Sequence, residues 1–163
     1  MRVANIEMKP VVLQFSFIPL LFLVLLVLGC GKRDEVDLSA VPVDIIKQGV
    51  ALMPTYCHTC HGVGDLEMDA MLAPPLWGVR AHYLARFSAP EDFVDAMTAF
   101  LVEPQAEQSL LPLEVAHYGL KAPVSLSEAE LRAVGWAIYA GQVARPAWSR
   151  EYRQRHRECE ASW

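Results

Sequence analysis

No stretch of the 163-residue chain alternates apolar and polar residues with the two-residue period of a half-buried strand, and no segment repeats another. The first absence argues against β architectures and the second against solenoids and arrays. Basic residues are in the minority, 14 Lys and Arg against 19 Asp and Glu, which argues against nucleic acid as a partner. Cysteine is scarce as well. The four cysteines, Cys30, Cys57, Cys60 and Cys159, do not make an even disulfide framework if the first is used elsewhere. No constellation for bond-making chemistry stands out, because Asp65, Glu67 and Asp69 form a run that reads as a solvated face rather than a paired acid and base.

What is present starts with Arg2 and Lys9, followed by an apolar run from Val11 to Leu28 interrupted only by Gln14, Ser16 and Pro19. A basic start, an apolar run and a small residue at its end make an export signal. The run closes on "VLGC", which resembles a bacterial lipobox; the resemblance implies cleavage after Gly29 and lipidation of Cys30. The alternative is an uncleaved membrane helix, since the run is just long enough to span. Both place the remainder in a bacterial cell envelope, tethered to a membrane and facing the periplasm, with inner and outer membrane left open by Gly31. Residues 1–29 are thus read as a lipoprotein signal peptide, 30–43 as a polar tether, 44–141 as the folded domain and 142–163 as a basic aromatic tail. Without the leader, 12 basic and 18 acidic residues remain. Residues 145–163 carry five arginines against three glutamates, so an acidic body ends in a basic tail. That tail reads as a solvated extension, or as a helix laid on anionic lipid or an acidic partner with Trp148, Tyr152 and Trp163 at the interface.

Residues 56–62, "YCHTCHG", set Cys57 and Cys60 two residues apart with His61 directly after. Structural zinc needs four ligands, and one C-x-x-C leaves two to be found among histidines without matching spacing. A thioredoxin-like redox pair follows a strand, and none is visible. Covalent haem uses the whole pattern: two thiols so spaced can add across the two vinyl groups of one porphyrin, and the histidine lies under the iron as proximal ligand. The motif therefore predicts one covalent haem c held by Cys57, Cys60 and His61, with His58 as a solvent-side filler.

The periodic segments predict helices. "PVDIIKQGVALMPTYC" has Asp44 as N-cap and apolar Ile45, Ile46, Val50, Leu52 and Met53, breaking near Pro54. "SAPEDFVDAMTAFLVEP" has Ser88 and Glu91 as a capping box ahead of Phe93, Val94, Met97, Phe100 and Leu101. "SLSEAELRAVGWAIYAG" repeats the device with Ser127 and Glu130 and stops at Gly141.

With Gly49, "CHTCHG", "APPLWG" at 73–78 and "GWAIY" at 135–139, residues 44–141 resemble a class I mono-haem cytochrome c domain. The resemblance implies an all-α, cytochrome c-like helical domain wrapped around the haem. It also implies that the first and last helices cross at a glycine and an aromatic, setting Gly49 against Trp136 or Tyr139. A proline carbonyl after the haem motif would accept a hydrogen bond from the proximal histidine's other nitrogen. Pro74 matches that position and Pro75 is the alternative. Such a bond orients the ring and makes the metal-bound nitrogen a better donor.

The pattern breaks at the second axial ligand. The family's methionine would come from the loop before the last helix, yet no methionine lies between Thr98 and Ser127. In "VAHYGLKAPVSLSE", Lys121 stands where the methionine is expected and His117 lies four residues earlier. Lys121 could ligate as a neutral amine, a form that burial favours, and His117 would give a bis-histidine haem. Met97, Met68 or Met71 could reach the iron by another path, His82 is a remote choice, and the sixth position could stay open.

These readings predict an electron carrier, not an enzyme, passing single electrons between redox partner proteins at the membrane surface. Two alternatives stay open: a haem protein with an open sixth site that binds small ligands, as a sensor or in peroxide chemistry, and a haem subunit of a larger membrane oxidoreductase complex.

Overall fold

The computed structural model describes residues 38–39, 41–63, 67–151 and 154. All of them fall in one compact unit, Val36–Trp163. The export signal, Cys30, Asp65 and Cys159 lie outside the described residues, as do most of the tether and the end of the tail. Among the described residues the fold is all-α, and no helix there is long and apolar enough to cross a membrane.

Helix α1, Val43–Tyr56, is capped by Pro42 with Asp44 inside its first turn, where a carboxylate meets the positive end of the helix dipole. Asp44 is therefore not the N-cap; burial of Val41 commits the chain to turn two residues earlier. The helix also runs through Pro54 instead of breaking there. The ring removes a donor and crowds the preceding turn, but it leaves Met53 free to accept from Cys57 N–H at 2.9 Å. A single turn, α2, His58–His61, follows directly.

Beyond a 3₁₀ turn at Met68–Ala70 come α3, Leu76–Arg86, and α4, Pro90–Val102. Ser88 and Glu91 do not form the expected capping box: Ala89 is the N-cap, without a side-chain bond, and Pro90 opens the helix. Proline's preset φ and missing donor suit that first position, so a side-chain cap has less to supply. A 3₁₀ turn at Ala106–Gln108 leads to α5, Pro112–Tyr118, and the last helix is α6, Glu128–Tyr139.

α6 is closed at both ends by its own sequence. Ser127 and Glu130 form the reciprocal capping box. At the other end Gly141, with φ of +78°, lets its N–H reach the Ile138 carbonyl while Gln142 N–H reaches that of Ala137, the Schellman arrangement. Arg80 of α3 adds two bonds of 3.0 Å to the Tyr139 carbonyl.

The core forms where α6 packs against α1 and α4. A Cβ on Gly49 would lie 2.0 Å from the Ala133 carbonyl oxygen and 2.9 Å from the Ala137 Cβ. The glycine's nearest neighbours on α6 are thus Ala133 and Ala137, not Trp136 or Tyr139. Alanines one turn apart present the low ridge that so close a crossing needs. The aromatics turn elsewhere: Tyr139 stacks edge-on against Phe93 at 5.2 Å and against Trp136 at 5.8 Å. Phe93, fully buried, joins α4 to Tyr83 of α3 at 5.4 Å.

Candidate functional site

The junction of α1 and α2 sets the geometry. Cys57 ends the first helix and caps the second, and its carbonyl accepts from Cys60 N–H at 3.2 Å and His61 N–H at 3.0 Å. One tight turn therefore holds both thiols and the imidazole. Gly62, at φ +64°, then reverses the chain with its N–H on the His58 carbonyl.

The returning loop is pinned to the same turn, because Leu72 and Ala73 donate to the Cys60 carbonyl at 3.0 and 2.9 Å. Buried Met71 and Ala73 anchor it. This registers Pro74 beside His61, whose Nδ1 lies 2.5 Å from the Pro74 carbonyl oxygen. Pro75 is excluded from that role, since its carbonyl already accepts from Gly78 and Val79 at the start of α3. A carbonyl only accepts, so Nδ1 carries the proton and Nε2 of the neutral ring keeps its lone pair. Burial lowers the proton affinity of His61, helped by nearby His58 and Lys121 and opposed by the Pro74 bond. The ring is thereby kept in the ligating form.

Cys57, Cys60, His61 and Pro74 share a cavity of about 320 Å³ with Leu76, Val79, Tyr83, Met97, Val134 and Ile138. Its size and apolar walls are those of a cofactor site. Both cysteines are free thiols. Burial and the neighbouring Cys60 push the Cys57 thiol up to about 11, the reverse of what activates a disulfide-exchange cysteine. Among the described residues no group of three or more His, Cys, Asp or Glu could hold a metal ion, so the zinc reading finds no ligand set there. The residues fit a porphyrin better: an apolar slot, two thiols, and an imidazole with the correct nitrogen free.

The distal candidates separate. Lys121 lines the cavity, with Nζ donating to the Tyr118 carbonyl at 2.6 Å, and buried Met97 lines it from α4. His117 is exposed, packed edge-on against Tyr118 at 4.5 Å, and is not among the lining residues. Neither are His82 and buried Met71, and the side chain of Met68 lies outside the described residues.

Glu114 and Tyr83, both on the cavity wall, were not singled out in the sequence. Glu114 is 5% exposed on the first turn of α5; Pro112 opening that helix with an acid in its first turn was the legible signal. Tyr83 also faces the cavity, and burial raises its hydroxyl to about 12. The described part of the tail is mostly exposed, as a solvated extension would be, but the Arg145 guanidinium lies 5.7 Å from the Trp77 ring centroid, Trp148 is half-buried and Ser149 is buried.

The chain matches no protein-family model, no curated protein and no solved structure.

Proposed function

We propose that this protein is a membrane-tethered c-type cytochrome that carries single electrons between redox partners in the bacterial cell envelope. One observation carries the reading. His61 donates through Nδ1 to Pro74 and so keeps Nε2 free, in the same cavity wall as the thiols of Cys57 and Cys60. When bound, the haem supplies a one-electron couple. Cys57 and Cys60 hold it covalently, His61 is the proximal ligand and Pro74 orients that imidazole. Lys121 is the distal candidate on the cavity wall. The apolar lining excludes water, and the acidic surface favours partners with a basic docking patch. The anchor at Cys30 keeps the domain at the membrane.

The test is expression of the full chain in a host that matures c-type haem, followed by denaturing electrophoresis with haem staining. Haem that stays with the chain, and is lost in Cys57→Ser/Cys60→Ser, supports the reading; a colourless wild-type chain ends it.

A second reading, an open sixth position for small ligands, is favoured by the hydrogen bond that engages Lys121 with the Tyr118 carbonyl. If the lysine stays there, His117 is not on the cavity wall to replace it. Rapid, complete carbon monoxide binding by the reduced protein would select this reading, and none would select the carrier.

A further inference from the structure

The beginning of the C-terminal tail folds back towards the haem motif. Ala144, Pro146 and Trp148 line one narrow cleft with His58, His61, Gly62, Val63, Pro75 and Leu76. The cleft is about 10 Å³, at the lower limit of what admits one water molecule. Two features hold the segment in place. The Arg145 guanidinium sits over the face of Trp77 at 5.7 Å, within cation–π range, and Trp77 is itself buried in α3, 6% exposed. Ser149, just past Trp148, is 7% exposed and turns back with its N–H on the Pro146 carbonyl at 3.1 Å. Arginine, tryptophan and serine in a tail so rich in charge read from the sequence as solvated; here Arg145, though exposed, lies against Trp77, Trp148 is half-buried and Ser149 is buried.

We infer that residues 144–149 are a strap that seals the proximal side of the site, with Trp148 as the residue that keeps water from His61 and Arg145 as its anchor on Trp77. The inference rests on the cytochrome reading for its functional meaning. The His61–Pro74 hydrogen bond determines how strongly the imidazole donates, and water reaching the ring would compete for that proton. Opening the strap also raises the local dielectric, which favours the more highly charged oxidised state. Trp148 and Arg145 are thus positioning residues: they touch neither electron donor nor acceptor and act through His61.

The experiment uses the full haem-loaded chain. Solvent exchange of the His61 Nδ1 proton is followed by NMR in wild type, Trp148→Ala, Trp148→Phe and Arg145→Ala, beside backbone amides of α6 as a measure of global opening. In Trp148→Ala the ring proton exchanges roughly tenfold faster, the factor set by removing a half-buried indole from its contacts, while the α6 amides keep their rates. Trp148→Phe restores most of the protection, Arg145→Ala lies between, and the reduction potential falls in the order in which protection is lost. Equal exchange in all four proteins overturns the strap, as does acceleration that the α6 amides match. A wild-type chain without covalent haem ends the cytochrome reading instead, and the same exchange series on that chain still decides whether the strap shields His61.

Discussion

The carbonyl oxygen of Ala133 lies 2.0 Å from where a Cβ on Gly49 would stand, so α1 and α6 cross with backbone nearly against backbone. Gly49→Ala gains about 1 kcal/mol of helix propensity, but an approach under 3.0 Å onto a carbonyl cannot be relieved by a rotamer change. Overpacking of this kind costs about 1–3 kcal/mol, and a backbone contact belongs at the upper end. The net loss is therefore about 2 kcal/mol, read as a lower urea midpoint with unchanged slope. Gly135→Ala is the control. Its Cβ would meet the Val94 Cγ1 at 3.3 Å, so this fully buried side chain has to shift by only a few tenths of an ångström, a small cost set against the gain in helix propensity, and the midpoint stays close to wild type.

How much of this was legible in the sequence depended on range. The capping box at Ser127 and Glu130 and the glycine stop at Gly141 are local, and both are present as read. Ser88 and Glu91 carry the same signature, yet Pro90 between them starts the helix itself. α3 escaped notice because "LWGVRAHYLAR" mixes Arg80, His82 and Arg86 among its apolar residues and has neither a side-chain cap nor an acid in its first turn, and it takes its order from contacts of Trp77 and Tyr83 with other segments. At the site, the spacing of Cys57, Cys60 and His61 was visible at once. The choice between Pro74 and Pro75 was not, because it depends on which carbonyl α3 consumes. Nor could the sequence separate Lys121 from His117, which differ by their positions around α5 and its following loop.

The Ser127–Glu130 cap makes an acid-sensitive contribution to stability. Hydrogen bonds from the Ser127 hydroxyl and backbone N–H lower the Glu130 pKa below its ordinary value of 4.5. A carboxylate with a depressed folded-state pKa stabilises the fold above its unfolded-state value, and the stabilisation is lost as pH falls through the folded one. Chemical denaturation should thus show Glu130→Gln less stable than wild type at pH 7, with the gap closing below pH 4.5. A gap that persists or widens in acid contradicts the assignment.

Arg80 ties α3 to the end of α6 through its two bonds to the Tyr139 carbonyl. Arg80→Ala removes two charge-assisted donors from a helix terminus, at a cost of about 1–2 kcal/mol given partial exposure. Arg80→Lys keeps the charge but not the fork and recovers less than half of the loss. Thermal unfolding of the three proteins at one ionic strength measures both effects, and full recovery by lysine would show that charge alone carries the contact.

Lys121 is the decisive side chain for what the site can do. It lines the cavity that holds His61, and its charge is one of the influences lowering the proton affinity of that ring, whereas His117 packs against Tyr118 away from the lining. If Lys121 completes the coordination, its amine must leave the Tyr118 carbonyl, a rearrangement confined to the loop after α5. Lys121→Ala should then turn a low-spin ferric spectrum high-spin and admit carbon monoxide in the ferrous state, while His117→Ala leaves both spectra unchanged. The reverse result would bring α5 round to the cavity and assign the position to His117. A high-spin wild type would show the sixth position open and make the wall of Lys121 and Glu114 the surroundings of a bound small molecule. Met97 is separable by the same measurement: Met97→Leu preserves the volume of the core, so a spectral change in that variant alone would place the thioether on the iron.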